Sequence, residues 1–365
     1  MRVAAASVTW ADAPRQAAFE RWIAAVAPRH GLNIATLTPA SADASFRRYL
    51  RAQGRQGSLI VMDAPPPLED VRPFVHVARL IGAAGLHAPQ VLEVDEALGF
   101  VLLEDLGDRL YLEAFGQQPP DEVEGLMRDA LSALVRFQQG VPASALPPYT
   151  ESQIASELAL FPEWCVQREF GINWTTAEHD TWQRVCRRLI DSALAQPVVA
   201  VHSDWMPRNL MVVSSGNGSG AGARARNPGN PGNPGILDFQ DAVAGPITYD
   251  LASLLRDAFH SWSEEQELDW AVRWWQQARQ AGLPVDEDFG EFWRALEWMG
   301  LQRHLRILGI FCRLKHRDGK ARYTDDLPRF FGYATRVASR YGPLKPLLRL
   351  LEPMSGARVG AGFTF

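Results

Sequence analysis

Apolar and polar residues follow two different periods along this chain. Residues 14–29 place apolar side chains at helical intervals, and a second helical pattern over residues 70–85 ends at a glycine. Short apolar runs predict strands: FRRYLRA and SLIVM around the turn QGRQG, then two strands in VLEVDEALGFVLLEDLG on either side of Glu96–Gly99. Residues 1–104 therefore predict a small antiparallel sheet with helices.

Helical periods dominate after Gly107. They cover residues 121–140, 150–170, 175–195, 264–281, 286–313 and 325–350, and only the region 198–240 interrupts them with short apolar strands. The pattern predicts an α+β fold with two lobes, a small N-terminal lobe over residues 1–104 and a larger, mainly helical lobe over residues 105–365. Clefts between such lobes commonly hold ligands.

A low-complexity segment with a repeated N-P-G motif occupies residues 214–235, and this composition is typical of a flexible, solvated loop. We expect the flanking runs Leu210–Val213 and Ile236–Phe239 to pair as an antiparallel hairpin. The long tip is tolerated because the entropy of loop closure grows slowly with length. In this hairpin Val213 would lie near Ile236, and Asn209 beside Asp238.

The hairpin follows the motif His202-x-Asp204-x-x-x-x-Asn209. Asn209 and Asp238 offer hard oxygen donors of the kind that Mg²⁺ prefers. Asp204, on the connecting turn, can accept the proton of an attacking hydroxyl. A base aspartate with one Asn and one Asp ligand is the arrangement of phosphoryl-transfer enzymes. For His202 we expect a structural role in the turn.

Composition excludes several other classes. The 365 residues carry a net charge of −5 without a basic run, so nucleic acid is not an expected partner. Cys165, Cys186 and Cys312 form no C-x-x-C motif, which argues against a zinc ribbon or a disulfide framework. The N-terminus is a poor signal peptide, and no apolar run reaches about 18 residues, so we expect a soluble cytoplasmic protein without membrane contact. Monomer and dimer are not distinguished.

Several strings resemble the aminoglycoside phosphotransferase and choline kinase branch of the protein-kinase-like fold, over nearly the whole chain. Within that branch they are similar to the bacterial N-acetylmuramate/N-acetylglucosamine 1-kinases. The strings are DASFRRYLR, SLIVMDAPP, VLLEDLG, LFPEWC, DFQDAVAGPITYDLASLLRD and LQRHLRILGIFCRLKHRDGK. The resemblance implies that ATP, with Mg²⁺, phosphorylates the anomeric hydroxyl of a small amino sugar during cell-wall recycling.

The resemblance also implies residue roles. Asp204 matches the catalytic base, and Asn209 and Asp238 match the magnesium ligands. Asp250 matches a buried aspartate that braces the catalytic loop. The segment from Glu104 to Leu106 matches the hinge whose backbone binds adenine.

The phosphate-binding residues depart from the family pattern. Met62 stands near the place of the usual lysine, and lysine occurs only at positions 315, 320 and 345. Arg47 or Arg48 is the candidate replacement, because a guanidinium group binds phosphate through two hydrogen bonds. The small residues around Ser45 replace the glycine-rich loop and could still cover phosphates.

The acceptor site is the least specified by sequence. Trp205, beside the base, could stack on a sugar ring, although most tryptophans are core residues. Arg303 and His304 are predicted to lie on a buried helix, where they either line the acceptor pocket or take part in a structural ion pair. Arg208, Arg303 or Arg317 could bind the lactyl carboxylate of N-acetylmuramate.

Two alternatives stay open at this stage. An aminoglycoside or other small-alcohol kinase would share the same phosphoryl-transfer residues but have an acidic acceptor pocket. A non-catalytic nucleotide-binding regulator would account for the missing lysine, but it has no need for Asp204, Asn209 and Asp238 together.

Overall fold

The computed structural model describes residues 8, 10, 12–41, 46–213 and 232–355. The chain divides into two compact units. The first comprises Met1–Val141 and Pro207–Ala242, and the second comprises Pro142–Met206 and Val243–Phe365. The predicted boundary between functional lobes, after residue 104, stays a prediction.

The first unit begins with helix α1, Ala13–His30, close to the predicted 14–29. The Asp12 carboxylate caps the helix by accepting from the Arg15 N–H at 2.6 Å, and Gly31 ends it at a φ of 62°. One face of α1 is apolar and packs on the sheet. With residues of the strands it forms a single buried core: Phe19, Ile23, Val26, Ala27, Leu32, Leu50, Ala52, Val61, Phe100 and Leu102.

The sheet of the first unit is antiparallel throughout, in the order β1-β2-β3-β5-β4. Four of its strands were predicted; the first one was not, because its sequence NIATLTPAS contains few large apolar residues. The strands are β1 Asn33–Ser41, β2 Arg48–Gly54, β3 Gly57–Asp63, β4 Val91–Asp95 and β5 Phe100–Glu104.

Three further helices belong to this part of the chain: α2 Arg72–Ala83, α3 Tyr111–Gln117 and α4 Pro120–Gly140. Helices α2 and α4 confirm the predicted helical periods. Helix α3 is too short to produce a recognisable period, and sequence reasoning missed it.

The second unit starts with α5, Glu151–Leu160, which continues as a π-helix over Phe161–Glu169. The predicted helix over 150–170 is therefore correct in extent but wrong in type over its second half. Pro162 lies at the junction and lacks the N–H that an α-helical hydrogen bond would need. Helix α6, Thr176–Leu194, and strand β6, Val198–Val201, follow.

The predicted hairpin is present in the first unit. Strands β7 Leu210–Met211 and β8 Gly235–Ile236 pair with Leu210 opposite Ile236 and Met211 opposite Gly235. Both strands are shorter than predicted, and the expected approach of Val213 to Ile236 is wrong by three positions. The Val213 N–H instead donates to the Asn233 side-chain oxygen at 2.7 Å, which closes the hairpin nearer to its base.

The remainder of the second unit is mainly helical. Strand β9, Val243–Pro246, pairs with β6 and was missed because the predicted strand region ended at residue 240. The predicted helix over 325–350 is two helices, separated by a turn at Gly342–Leu344 that contains Pro343. The helices are α7 Tyr249–Leu255, α8 Glu264–Gln280, α9 Phe289–Asp318, α10 Leu327–Arg340 and α11 Pro346–Ser355.

Helix α9 runs through the core of the second unit and makes very close contacts there. A Cβ atom on Gly309 would lie 2.5 Å from the backbone carbon of Leu160, so only glycine fits at that crossing. Among the described residues, no helix combines the length and the apolarity that a membrane crossing requires.

Candidate active site

The loop of residues 202–204, here called the base loop, carries Asp204 in the second unit. Asp250, in the first turn of α7, is fully buried and accepts hydrogen bonds from the backbone N–H groups of His202, at 2.7 Å, and Ser203, at 3.1 Å. Burial raises the pKa of Asp250 to about 7, although the two donors and Arg303 favour its charged form. The expectation that Asp250 is buried and braces this loop is confirmed.

The base loop contains a strained residue. Ser203 has a φ of 80°, in the left-handed region that non-glycine residues rarely adopt. Arg303 of α9 donates from Nη1 to the Ser203 carbonyl oxygen at 3.1 Å, and its Nη2 lies 3.9 Å from Asp204 Oδ1. The guanidinium group of Arg303 also lies 4.7 Å from the centre of the Tyr249 ring. Its predicted contact with an acceptor stays a prediction.

A polar network that sequence reasoning missed supports Tyr249. Arg306 donates to the Tyr249 hydroxyl at 2.8 Å and pairs with Glu157 at 3.2 Å. The Tyr149 hydroxyl donates to Glu157 at 2.6 Å and accepts from Gln302 at 2.9 Å. These hydrogen bonds and the ion pair connect α5, α7 and α9 around the Tyr249 ring, over which the Arg303 guanidinium group lies.

His202 and Trp205 are both completely buried, with ring centres 5.5 Å apart in an edge-on arrangement. The His202 Nδ1 atom accepts from the Asp204 N–H at 3.3 Å, which confirms the predicted structural role in the turn. Trp205 has no exposed ring face for a sugar in this structure. Its predicted role as a stacking platform would require the loop to move.

His304 is likewise a core residue. Its ring stacks on Tyr333 with the centres 4.7 Å apart, and its Nε2 lies 3.3 Å from the Arg256 carbonyl oxygen. Burial, together with the nearby Arg256, lowers the pKa of His304 well below its ordinary value, so the imidazole is neutral. Arg208, in contrast to the buried His304, is exposed to solvent. It lies in the first unit, within the turn Pro207–Asn209.

The metal-ligand candidates lie on the hairpin of the first unit. The Leu237 N–H donates to the Asn209 carbonyl oxygen at 2.9 Å, which extends the β7–β8 pairing by one step. Asn209 Nδ2 then donates to Asp238 Oδ2 at 3.5 Å, so the two side chains lie together as the predicted hairpin requires. Asp238 has a φ of 60°, and its Oδ1 accepts from Gln240 Nε2 at 2.9 Å.

The donor set of this hairpin fits magnesium. In this structure Asn209 Nδ2 faces the Asp238 carboxylate, and an amide turned so that Oδ1 faces the ion would complete a pair of hard oxygen ligands. Mg²⁺ commonly takes only one or two protein groups beside water and phosphate oxygens. Among the described residues no cluster of three or more His, Cys, Asp or Glu side chains offers another cation site. Phe239, which follows Asp238, is fully buried and packs against Phe74.

The predicted phosphate-binding arginines already have carboxylate partners. Arg48 pairs with Asp63, which is 1% exposed and also binds Arg15 of α1 through Nε at 2.9 Å. Arg47 pairs with Glu69 at 2.9 Å. Met62 is completely buried in β3, and Ser45 lies outside the described residues.

The hinge candidate after β5 is held by an ion pair that sequence reasoning missed. Arg51 binds both carboxylate oxygens of Asp105, at 2.7 and 3.0 Å, and donates to the Gly107 carbonyl at 2.7 Å. Burial alone would raise the pKa of Asp105, but Arg51, Ser58 and the Gly107 N–H hold it below its ordinary value. The Glu104 N–H donates to the Gln90 carbonyl at 2.9 Å. The predicted hinge role of the segment from Glu104 to Leu106 stays a prediction, and the Glu104 N–H is already used within the fold.

Comparisons with known proteins identify the family of this chain. Residues 36–293 match the model of the phosphotransferase enzyme family (APH). The chain belongs to the phosphotransferase enzyme family. Its relatives include the N-acetylmuramate/N-acetylglucosamine kinase of Pseudomonas putida, 48% identical over 324 residues that cover 88% of this chain and 90% of the relative. The kinase of the same name from Neisseria meningitidis is 44% identical, covering 96% of this chain and 99% of the relative.

A solved structure confirms the predicted kinase-like α+β fold. The chain is similar in structure to the GDP complex of wild-type aminoglycoside 2′-phosphotransferase-IIIa. The TM-score is 0.54, and the match covers 89% of this chain and 99% of the other. The two chains share only 14% identity, so the likeness concerns the fold alone.

Proposed function

We propose that this phosphotransferase transfers the γ-phosphoryl group of ATP to the anomeric C1 hydroxyl of N-acetylmuramate, N-acetylglucosamine or both. The observation that carries phosphoryl transfer is the hairpin that brings Asn209 within 3.5 Å of Asp238. The two relatives named for both sugars, at 48% and 44% identity, support the acceptor class. The sugar 1-phosphate would enter cell-wall recycling in the cytoplasm.

In the proposed reaction Asp204 is the general base. Its carboxylate accepts the proton of the sugar hydroxyl while the sugar oxygen attacks the γ-phosphorus, the bond to the β-phosphate oxygen breaks, and ADP leaves. Asn209 and Asp238 would hold Mg²⁺, which neutralises charge on the phosphate oxygens when bound. Asp250 holds the base loop through two backbone hydrogen bonds, and this limits how far Asp204 can turn.

For the phosphate contact we favour Arg48 over Arg47. Two arginines, Arg15 and Arg48, share the single carboxylate of Asp63. The Arg47–Glu69 pair is neutral overall. Arg48 is also the more accessible, with 31% of its side chain exposed against 13% for Arg47. In this proposal Arg48 replaces the missing lysine.

The test is a product assay with three acceptors. Purified protein, ATP and Mg²⁺ are incubated with N-acetylmuramate, N-acetylglucosamine or kanamycin, and the phosphorylated position is read by phosphorus and carbon NMR. We expect phosphate on C1 of at least one amino sugar and none on kanamycin.

The other outcomes each correct the proposal in a definite way. Phosphate on kanamycin alone would assign the chain to an aminoglycoside kinase. Phosphate at a ring hydroxyl other than C1 would keep the sugar but overturn the anomeric position. Bound nucleotide without consumption by any amino sugar would identify a regulator.

A further inference from the structure

Ser203 is held in an unfavourable conformation directly before the proposed base. At a φ of 80° its backbone adopts a geometry that costs free energy in any residue with a Cβ atom. Such a residue persists only where its surroundings over-determine its conformation. Around Ser203 these surroundings come from two distant parts of the second unit.

The two sides of Ser203 have different partners. Asp250 accepts from its N–H at 3.1 Å and from the preceding His202 N–H at 2.7 Å. Arg303 donates to its carbonyl oxygen at 3.1 Å. The peptide unit that leads into Asp204 is thus held at its carbonyl oxygen by Arg303 and at its N–H by His202 Nδ1, whereas Asp250 holds the peptide units before it.

Arg303 is itself firmly placed. Only 6% of its side chain is exposed, and its guanidinium group lies over the ring of Tyr249, whose hydroxyl accepts from Arg306 at 2.8 Å. A buried guanidinium group needs acceptors for its N–H groups, and the Ser203 carbonyl oxygen accepts from Nη1, while the Asp204 carboxylate supplies a nearby opposite charge. At 3.9 Å the contact with Asp204 is longer than a hydrogen bond, which leaves that carboxylate able to accept a proton.

We infer that Arg303 is a positioning residue, which holds Ser203 in its left-handed conformation and thereby fixes the direction of the Asp204 carboxylate. This inference rests on the proposed role of Asp204 as the base. It assigns to Arg303 a function other than binding the acceptor, and the two functions predict different kinetics.

The first experiment does not depend on any sugar. Ser203→Gly removes the cost of the left-handed conformation, because glycine adopts positive φ readily. In the native chain Arg303 enforces that conformation, so the glycine should raise the melting temperature. In Arg303→Met the loop is free to relax, and we expect the same glycine to raise it by less than half as much. Equal increases in both backgrounds would overturn the inference, whether or not the chain phosphorylates sugars.

The second experiment is a kinetic comparison with both amino sugars. In Arg303→Met we expect kcat to fall about 100-fold for each sugar, because a small misplacement of a reacting group has that effect. The KM values should stay within about threefold, since binding of the acceptor is not lost. Arg303→Lys should recover part of kcat, because an ammonium group can also donate to the Ser203 carbonyl oxygen. Ser203→Gly added to Arg303→Met should also recover part of it.

The control is Arg294→Met on the same helix. Arg294 is partly exposed and pairs with Glu291 three residues away, so this variant should match the native chain in kcat and KM. A rise in KM for N-acetylmuramate alone, with normal turnover of N-acetylglucosamine, would mean that Arg303 binds the lactyl carboxylate. A lowered melting temperature with unchanged kcat would mean that it only stabilises the fold. Either result overturns the positioning role.

Discussion

The base loop, which carries the proposed base Asp204, and the hairpin with the proposed metal ligands hold these side chains in different ways. Ser203 and Asp238 both adopt positive φ, at 80° and 60°. The base loop is held by buried charged residues that lie 47 and 100 residues further along the chain. Asp238 is held by backbone pairing of the hairpin and by Gln240, two residues away.

Because the supports differ, we expect the two regions to lose different amounts of activity and stability when a supporting side chain is replaced. A buried charged support is costly to remove, because its partners stay behind in a desolvated site. A support built from backbone pairing and one partly exposed amide is less sensitive, because water can replace a lost side-chain hydrogen bond. We therefore expect the base loop to tolerate change far less than the hairpin.

We expect the largest loss of turnover when the proposed base, Asp204, is itself replaced. The effects of the supporting residues are then compared with this loss. Asp204→Asn keeps the shape of the side chain but cannot accept the proton of the acceptor hydroxyl. We expect turnover to fall about a thousandfold while the affinity for nucleotide, measured by calorimetry, stays unchanged. Normal turnover in this variant would end the assignment of Asp204 as the base.

Substitution of the buried support comes next. In Asp250→Asn one carboxylate oxygen becomes an NH₂ group that faces a backbone N–H of the base loop. We expect a loss of about 1–3 kcal/mol in the free energy of unfolding and a fall in kcat of about 100-fold. Urea unfolding and steady-state kinetics measure the two quantities. Full activity would mean that the base loop does not need this support.

The pH dependence of stability gives a second measure of Asp250. Its folded pKa, about 7, lies above its ordinary value of 3.8, so the folded state binds the proton more tightly than the unfolded state. The resulting stability is present below pH 4 and is lost as the pH rises towards 7. Relative to Asp250→Asn, the native chain should lose up to about 4 kcal/mol over this range. A constant difference between the two proteins would show that Asp250 is charged throughout.

A smaller effect is expected on the hairpin. Gln240→Met removes the hydrogen bond to Asp238 Oδ1, but the pairing of Leu210 with Ile236 stays. One such bond contributes about 1 kcal/mol, so we expect kcat to fall by less than about tenfold and the melting temperature to fall by at most about 4 °C. A loss as large as that in Asp250→Asn would remove the distinction between the two loops.

The smallest effect is expected from shortening the insert. Deletion of residues 217–230 leaves Asn233, which accepts from the Val213 N–H and closes the described part of the hairpin. Because loop closure depends weakly on length, we expect kcat and KM within about twofold of the native values. A large loss would mean that the insert contacts substrate or a partner.

Sequence reasoning reached the hairpin but not the supports of the base loop. Two apolar runs on either side of a loop predict an antiparallel pair, and with it the approach of Asn209 to Asp238. The register was wrong because Asn233 binds Val213 through its side chain, and apolar patterns contain no information about such a bond. The expectation for Asp250 came from family resemblance.

The remaining contacts depend on tertiary packing. Arg303 sits on a helix whose period was recognised, but which of its charged residues faces the base loop depends on how α9 packs against α7. Arg15 and Arg51 have ordinary sequence surroundings, and their partners Asp63 and Asp105 lie 48 and 54 residues away. Positive φ at Ser203 and Asp238 also left no signal, since neither is a glycine.

The cations that contact Asp63, Asp105 and Asp204 are all arginines, and none of them is a lysine. Every side-chain cation before residue 315 is an arginine or a histidine, and the three lysines all belong to the second unit. Reagents that acylate primary amines will therefore modify side chains of that unit alone. A dye or an isotope carried on a lysine side chain, as distinct from the backbone amino group of Met1, therefore reports on the second unit without any engineered residue.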